Sequence, residues 1–552
     1  MITKKRKIES KILIEAVSFF LAFCILIEKH QEMKKILFLI IIQLFYTALT
    51  SGTYRASVLE YNTVHVAPSN LVTKSEANTL MEKNIEEFKL YIEQSKLRGS
   101  QIMVFPEFSL TGFSGGWTRE KLFPYLELLP EITPGDYYCN PCLNRCGSFN
   151  LDKDSRILKQ LSCVARNYSM VLVVAGLNEY VPCSRDRNQG CPSDGKYQYN
   201  TAVAFDEQGY LIAKYHKTHL YVEELKLFDK VSNPQPVYFK TSFGVTFGMI
   251  VCFDIMFPNP IVDYVHLGIN NFIFSTFWNN VLPTITSSQM ELAVSKVARG
   301  NLLASNHGDL AEKSSGSGIF TNGEIISFWA NPTSKKVSKL LVGDLLKNPI
   351  QSSGIQSNQG IADGVGDGGG VVVGNENNNN NNNHAQKTVN IKLDNLVANK
   401  KPKFIKFKAE PGNSDTITLE NENIQCSLNY KISSNSDSKA TETFALFAYQ
   451  GEVFIKGTSS QYCGLMKCNP DPKKIYDCEI GNTIESNTIF ESFQLTTKMS
   501  SDKTIFLFAS SNGNQLINQN NLETTKNSVK SRSEFETKLL TVTFCGRDWN
   551  GF

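Results

Sequence analysis

Three side chains that could share one reaction each follow a short apolar run in this sequence. Glu107 comes directly after "IMVFP", Lys217 comes after "LIAKYH", and Cys252 ends the run 245–252. A thiol becomes a strong nucleophile when a base takes its proton and a cation stabilises the anion. A carboxylate, an ammonium group and a thiol therefore form a set that could attack a carbonyl carbon.

The apolar runs before these residues indicate how the three groups could meet. The runs 102–105, 211–215 and 245–252 are short and rich in β-branched and aromatic residues, which is typical of strands. The ends of strands in a layered α/β fold converge on one crevice. Each residue alone has a simpler interpretation, since a buried free cysteine is a common core residue and Glu or Lys after a strand usually lies at the surface.

The elements around these runs predict a mixed α/β layer fold. Strands are predicted at 56–61, 170–175, 201–205 and 271–276, and helices at 75–98, 155–167 and 286–303. Ser75 is a candidate N-cap for the first helix. The turn "DEQG" between 201–205 and 211–215 predicts a hairpin. Strands that alternate with helices favour one α/β domain, here over 53–345.

The composition changes beyond residue 345. Residues 346–387 are rich in Gly, Asn, Gln and Ser, and they hold too few apolar side chains to offset the entropy lost on ordering. We interpret them as a low-complexity linker. Residues 388–552 contain repeated apolar and aromatic runs such as "FALFAY" and "TIFLFAS". They predict a smaller, mainly β domain.

The first 52 residues contain a signal-peptide pattern. Lys34 and Lys35 precede the apolar run 36–46, and small or polar residues follow at 47–52. We expect translation to start at Met33 and the protein to be secreted, without a stable membrane anchor. The alternative is that the upstream apolar stretch 12–27 tethers the chain as a signal anchor, although a span needs about 20 apolar residues.

The charge balance excludes one class of partner. The formal net charge is +3 over 552 residues, which is far from the basic footprint of a nucleic-acid-binding protein. We therefore expect no nucleic-acid partner. The oligomeric state is left open, with a monomer favoured, and the expectation of a small-molecule amide substrate comes from the motifs that follow.

The motifs around the three residues, taken in order, resemble a known family. "PE", "KYHKTHLY" and "FGMIVCFDIMF" are similar to the nitrilase superfamily with its Glu-Lys-Cys triad. "KYQYNTAVAFDEQG", "FSTFWNNVLP" and "LLASNH" resemble its vanin and biotinidase branch of secreted amidases. The resemblance covers 55–345 and continues more weakly to the end of the chain. It implies a nitrilase-type α-β-β-α sandwich followed by a smaller, mainly β C-terminal domain of the vanin type.

The resemblance also implies a role for each matching residue. Cys252 would attack the carbonyl of a linear amide and form a thioester, Glu107 would accept the thiol proton, and Lys217 would stabilise the oxyanion with the backbone N–H of Phe253. We also expect Lys217 to lower the pKa of the thiol. Glu224 would be a second carboxylate of the site, although Glu223 stands where the family usually has glycine. No cofactor is expected.

The substrate is left open at this stage. The branch includes pantetheinase, which releases cysteamine from pantetheine, and biotinidase, which cleaves biotinyl amides. We expect Phe277, Trp278 and Asn279 to line the pocket, but these residues do not select one acyl group. A third alternative is a relative that binds without catalysing.

Two other active sites fit the sequence less well. Residues 112–116 match G-x-S-x-G with Ser114 as nucleophile, but no strand runs directly into Ser114. His216 and His219 are three residues apart, yet neither a carboxylate nor a cysteine set completes a tetrahedral zinc shell. We therefore expect no metal.

The remaining cysteines are typical of a secreted, disulfide-containing chain. Cys183 and Cys191 bracket a short loop and are expected to pair. A cluster of four cysteines allows three pairings, and a cluster of five leaves one thiol over; the clusters are Cys139, Cys142, Cys146 and Cys163, and Cys426, Cys463, Cys468, Cys478 and Cys545. Asn167 begins the glycosylation sequon Asn-Tyr-Ser.

Overall fold

The structure, a computed structural model, describes most of residues 52–547. Outside the described part lie 1–51, 114–115, 133–138, 148, 187–189, 281–285, 309–313, 332–336, 350–401, 437–441, 453–458, 469–477, 479–485, 501–502, 512–514, 518–521, 533–534, 536 and 548–552. The chain forms two units, Met1–Tyr54 and Arg55–Phe552. The predicted signal peptide, Ser114 and nearly all of the predicted linker 346–387 lie outside the described residues.

The amino-terminal half alternates strands with helices. Its strands are β1 (Thr53–Glu60), β2 (Ile102–Val104), β3 (Val171–Ala175), β4 (Glu179–Pro182), β5 (Lys196–Tyr199), β6 (Thr201–Phe205), β7 (Leu211–His216), β8 (Tyr238–Lys240), β9 (Thr246–Val251), β10 (Asn271–Ser275), β11 (Asn301–Ser305), β12 (Ser317–Thr321), β13 (Glu324–Trp329) and β14 (Lys339–Leu346). Its helices are α1 (Lys74–Leu97), α2 (Arg119–Leu122), α3 (Leu151–Asp154), α4 (Arg156–Tyr168), α5 (Ile261–His266) and α6 (Ser287–Val297).

Most of these strands build two sheets that face each other. The first sheet has the order β14-β1-β2-β3-β6-β7 and the second β13-β12-β11-β10-β9-β8. Ser275 of β10 donates a 2.7 Å hydrogen bond to the carbonyl of Phe105, just after β2, so the two sheets touch near the ends of these strands. Helices α1 and α4 pack together over the first sheet, and α6 packs over the second. The nitrilase-type α-β-β-α sandwich is thereby confirmed.

Two local predictions need correction. The N-cap of α1 is Thr73 rather than Ser75, because Thr73 and Glu76 bond each other's backbone N–H in a capping box. The predicted helix 286–303 ends at Val297, and 301–303 belong to β11. Arg299 turns the chain with a φ of 48°, and Asn301 then pairs in parallel with Asn271 of β10. The wholly buried run 301–305 gains more as a central strand than as a helix end.

The carboxy-terminal half is a sandwich of antiparallel strands, as predicted. Its strands are β15 (Lys403–Ala409), β16 (Ser414–Asn421), β17 (Ile424–Ile432), β18 (Glu442–Glu452), β19 (Ser459–Cys468), β20 (Phe490–Lys498), β21 (Thr504–Ser511), β22 (Gln515–Leu516), β23 (Leu522–Thr524), β24 (Ser528–Ser531) and β25 (Leu539–Arg547). The sheet orders are β15-β18-β19-β25-β21-β22 and β16-β17-β20-β24-β23. Gln289 of α6 donates to Ser510 of β21 at 3.3 Å, which joins the two halves.

Disulfides use nearly all of the described cysteines. The pairs are Cys139–Cys146, Cys142–Cys163, Cys183–Cys191, Cys426–Cys463 and Cys468–Cys478. Cys426 and Cys463 lie on β17 and β19, so their bond ties the two carboxy-terminal sheets together. Cys252 and Cys545 are buried free thiols.

Candidate active site

The three predicted side chains come from strand ends in both sheets. Glu107 lies just beyond β2 and Lys217 directly after β7, both in the first sheet, whereas Cys252 follows β9 of the second. Their side chains are nearly inaccessible, with residue exposures of 1%, 2% and 8%. The site therefore lies where the ends of the two facing sheets meet.

Lys217 ties two carboxylates together. Its Nζ lies 2.8 Å from Glu107 Oε1 and 2.6 Å from Glu224 Oε2. Glu224 lies in the 3₁₀ helix Val222–Lys226, where the N–H of Tyr221 also donates to its Oε2 at 2.7 Å. The neighbouring Glu223 instead points outward and pairs with Lys226. Of the two glutamates, the structure brings only Glu224 into the site.

Cys252 occupies a sharp turn after β9. It begins the 3₁₀ helix Cys252–Met256 and has a φ of 46°, a left-handed conformation that is uncommon for non-glycine residues. Asp254 stabilises the turn because its Oδ2 accepts the N–H of Val251 at 3.0 Å. The Sγ atom of Cys252 lies 3.7 Å from the carbonyl oxygen of Phe277.

Both the backbone and the carboxylate of Glu107 are fixed by neighbouring residues. The next residue, Phe108, has a φ of 54°. Gly176 leaves room for this turn. A side chain at position 176 would clash with it, because its Cβ would lie only 2.7 Å from the Cα of Phe108. The N–H of Phe277 donates to Glu107 Oε2 at 3.1 Å, and His307 Nε2 bonds the Glu107 carbonyl. Phe277 therefore contacts both Glu107 and Cys252.

The electrostatics of the cluster favour a neutral thiol at rest. Burial raises the pKa of Cys252, Glu107 raises it further, and Lys217 opposes them without reversing the shift. Lys217 does lower the thiol pKa, as expected, but burial and the negative charge of Glu107 outweigh it, so the net shift is upward. Burial raises the pKa of Glu107 to about 7, with Lys217 acting against the rise. Burial lowers the pKa of Lys217, but its anionic neighbours outweigh this and the net shift is upward.

The predicted pocket residues differ in their placement. Phe277 is partly exposed beside the site, Trp278 is buried, and Asn279 is exposed. Trp278 donates its backbone N–H to Asn306 at 3.0 Å. Phe253 packs edge-on against Tyr221, with ring centroids 5.4 Å apart. Tyr221 thus packs against the residue that follows Cys252, and Phe277 contacts Cys252 through its carbonyl oxygen.

The other sequence candidates lie elsewhere. His216 bonds Glu179 at 2.6 Å, and His219 bonds Asp254 at 3.1 Å, so the two histidines serve different carboxylates. In the described part of the chain, His, Cys, Asp and Glu side chains form no group of three placed to hold a metal ion. Asn167 is exposed in the last turn of α4, so its sequon is accessible.

Sequence reasoning assigned no role to Asn200 or Asp254. Asn200 Nδ2 donates to Glu107 Oε1 at 2.7 Å and to Glu224 Oε1 at 2.6 Å. The hairpin register offers a signal for Asn200: Thr201 pairs with His216, so Asn200 must lie opposite Lys217. No local pattern marks Asp254, because its partners other than Val251 are Tyr215 and His219, which are distant in sequence.

Comparison with known proteins shows which family the chain resembles. Residues 72–298 match the carbon-nitrogen hydrolase family, and residues 394–552 match the vanin C-terminal domain. A solved amidase from Nesterenkonia sp. is 18% identical, with a TM-score of 0.37 over 54% of this chain and 93% of its own. Human pantetheinase is 31% identical over 518 residues, which is 92% of each protein.

The chain belongs to the vanin and biotinidase branch of the nitrilase superfamily. A biotinidase from Takifugu rubripes is 37% identical, over 50% of this chain and 53% of its own length. The similarity to human pantetheinase extends through both domains. This vanin-like chain is accordingly a hydrolase of carbon–nitrogen bonds in amides.

In the described part of this vanin-like chain, none of the helices has the length and apolarity needed to cross a bilayer. Disulfides such as the five described ones are typical of proteins in an oxidising compartment.

Proposed function

We propose that this chain hydrolyses pantetheine to pantothenate and cysteamine with Cys252 as nucleophile. The observation that carries the proposal is the similarity to human pantetheinase across 92% of both proteins, including the C-terminal domain. The buried contact of Lys217 with Glu107 and Glu224, beside the free thiol of Cys252, supports the catalytic part.

The first chemical step forms a thioester. Glu107 takes the proton of Cys252 as Sγ attacks the amide carbonyl carbon. The negative charge that develops on the carbonyl oxygen is stabilised by Lys217 and the backbone N–H of Phe253. The carbon–nitrogen bond then breaks, and the proton held by Glu107 passes to the leaving amine. Because burial keeps the resting thiol neutral, proton transfer accompanies attack rather than preceding it.

The second step releases the acid. Water attacks the thioester carbonyl, Glu107 accepts a proton from that water, and the carbon–sulfur bond breaks. The proton returns to the sulfur of Cys252, so each turnover consumes one amide and one water and yields one carboxylic acid and one amine. Glu107 alternates between base and acid, which suits a pKa of about 7.

One assay separates the candidate substrates. Purified protein is incubated with pantetheine and with biocytin, and the released amine is measured, with Cys252→Ala as control. We expect a kcat/KM for pantetheine at least roughly tenfold above that for biocytin, since tenfold corresponds to about 1.4 kcal/mol of transition-state preference. A preference for biocytin would make the chain biotinidase-like. Activity with neither, or activity equal to that of Cys252→Ala, would favour a binding-only relative.

We also propose that the protein is secreted from a start at Met33 and carries a glycan on Asn167. The disulfides and the exposure of Asn167 support this. Expression from Met33 in a eukaryotic cell should yield protein in the medium with an N-terminus near residues 50–53, and glycosidase treatment should lower its mass unless Asn167→Gln is present. A membrane-retained product that begins at Met1 would support the signal anchor instead.

A further inference from the structure

Asn200 lies between β5 and β6 with its side chain in the candidate active site. It is 1% exposed, and its carbonyl oxygen accepts the backbone N–H of Lys217 at 2.9 Å. This backbone bond sets Asn200 level with Lys217 on the neighbouring strand. Two adjacent positions of the first sheet therefore present one charged and one neutral donor to the same place.

Both donors bridge the same two carboxylates. Asn200 Nδ2 reaches Glu107 Oε1 at 2.7 Å and Glu224 Oε1 at 2.6 Å. Lys217 Nζ reaches Glu107 Oε1 at 2.8 Å and Glu224 Oε2 at 2.6 Å. The orientation of the Asn200 amide follows from these contacts, because the flipped amide would set its oxygen against two carboxylate oxygens.

These contacts make the two oxygens of Glu107 unequal. Oε1 accepts hydrogen bonds from both Asn200 and Lys217, whereas Oε2 accepts the N–H of Phe277 at 3.1 Å. Phe277 also contacts Cys252 through its carbonyl oxygen. Oε2 therefore has more spare acceptor capacity than Oε1, and its hydrogen-bond partner is the residue that also contacts the thiol.

A purely structural role for Asn200 fits the hydrogen bonds poorly. An asparagine that only closes the corner between β5 and β6 would direct its N–H groups to backbone carbonyls, as Gln198 does with Leu227. In the described part of the chain, Asn200 Oδ1 has no hydrogen-bond partner. Both N–H groups are directed to the two glutamates, at the cost of leaving a buried oxygen unpaired.

We propose that Asn200 is a positioning residue that occupies Oε1 of Glu107, so that Oε2 is the atom that exchanges protons with Cys252 and with the leaving amine. As a neutral donor, Asn200 favours the ionised carboxylate without adding the charge of a second lysine. This inference rests on the proposed role of Glu107 as the base, and it holds for any amide substrate.

The test compares Asn200→Ala and Asn200→Ser with the wild type across pH. Without the amide donor the ionised form of Glu107 is less favoured, so its pKa rises. The acidic limb of the pH profile, where kcat/KM falls as pH decreases, should therefore move to higher pH by on the order of one unit. We expect kcat to fall by roughly 10- to 100-fold, with KM changed much less. Serine can supply one donor to the site, so its shift should be the smaller of the two.

Gln198→Ala is the matched control. Gln198 is a buried amide two residues earlier, and its Nε2 donates to the backbone carbonyl of Leu227 at 2.9 Å. Its loss should lower thermal stability without moving the acidic limb. If Asn200→Ala and Gln198→Ala gave the same unshifted limb, Asn200 would be structural only and the inference would be wrong.

A second readout separates this inference from the proposed function. The rate at which iodoacetamide alkylates Cys252 depends on the same proton transfer to Glu107, and it requires no substrate. An upward shift of its pH dependence in Asn200→Ala or Asn200→Ser supports the positioning role even if pantetheine proves not to be a substrate. An unshifted alkylation profile in both folded variants contradicts it, whatever the substrate is.

Discussion

Tyr215 donates a hydrogen bond of 2.7 Å to Asp254, and this bond joins the segments that carry two of the proposed catalytic side chains. Tyr215 lies two residues before Lys217, and Asp254 lies two residues after Cys252. Asp254 is completely buried and also accepts the N–H of His219 at 2.8 Å. The carboxylate of Asp254 therefore holds the nucleophile turn of one sheet against the end of β7 in the other.

Tyr215→Phe tests this connection. Removing the hydroxyl leaves a buried carboxylate short of one donor, which should cost about 1–3 kcal/mol of unfolding free energy. The turn at Cys252 should loosen, and kcat should fall roughly tenfold. Denaturant unfolding and steady-state kinetics measure the two effects. Tyr238→Phe, a partly buried tyrosine on β8, is the control. A loss of stability with unchanged kcat would show that the bond does not position the nucleophile.

The proposed triad predicts distinct losses for its members. Cys252→Ala should reduce amide turnover to background. Lys217→Ala removes an oxyanion donor, and such a loss typically lowers kcat by about 10²–10³. Cys545→Ala is the matched control, because Cys545 is the other buried free thiol of the described chain. Turnover measured by amine release should be retained in Cys545→Ala. Normal turnover in Cys252→Ala would contradict the proposed nitrilase-type mechanism.

The pKa of Glu107 predicts the acidic limb of the activity. Burial raises this pKa to about 7, and Glu107, as the proposed base, can accept a proton only when it is ionised. The value of kcat/KM should therefore fall about tenfold for each pH unit below about 7. Initial rates with saturating and limiting amide between pH 5 and 9 measure the limb. A flat profile from pH 5 to 7 would mean that Glu107 stays ionised throughout.

Alkylation should distinguish the two free thiols. Cys252 is 8% exposed in the candidate active site, whereas Cys545 is 1% exposed within β25. Burial raises both thiol pKa values, so labelling by iodoacetamide should be slow at pH 7 and faster at pH 9. Peptide mass spectrometry should find Cys252 modified first and protected by a substrate amide. Preferential modification of Cys545, or no protection by the amide, would contradict the proposed site.

A second buried carboxyl predicts how stability depends on pH. Burial raises the pKa of Glu60 to about 8 from an ordinary 4.5, against hydrogen bonds from Ser315, Gly316 and Ser317. A carboxyl whose pKa is raised in the folded state stabilises the fold at low pH, and this contribution is lost as pH rises from about 4.5 through 8.

Glu60→Gln should remove that loss, because glutamine keeps the shape and does not ionise. The Tm of Glu60→Gln relative to the wild type should therefore rise between pH 5 and pH 9, by about 1–2 °C for each ~1 kcal/mol regained in a domain of this size. Thermal unfolding at three pH values measures the difference. An equal Tm difference at every pH would mean that Glu60 is ionised in the folded protein.

Local sequence patterns predicted much of the architecture. The strand runs, the hairpin around "DEQG" and the long first helix were readable because apolar spacing follows the period of each element. The helix predicted over 286–303 was wrong at its end, because a parallel pairing with β10 claims 301–305. Such a pairing depends on a partner far along the chain and leaves no local signal.

The sequence by itself determined which side chains could react and that each follows a strand, since residue type and periodicity are local properties. Only the tertiary structure decided how they meet: β2 and β7 come from one sheet and β9 from the other, Glu224 rather than Glu223 turns inward, and Asn200 and Asp254 complete the hydrogen bonds. It also decided the sign of the thiol pKa shift. That shift comes from burial and from the charges of Glu107, Lys217 and Glu224, which are distant in sequence and surround the thiol only once the two sheets have packed.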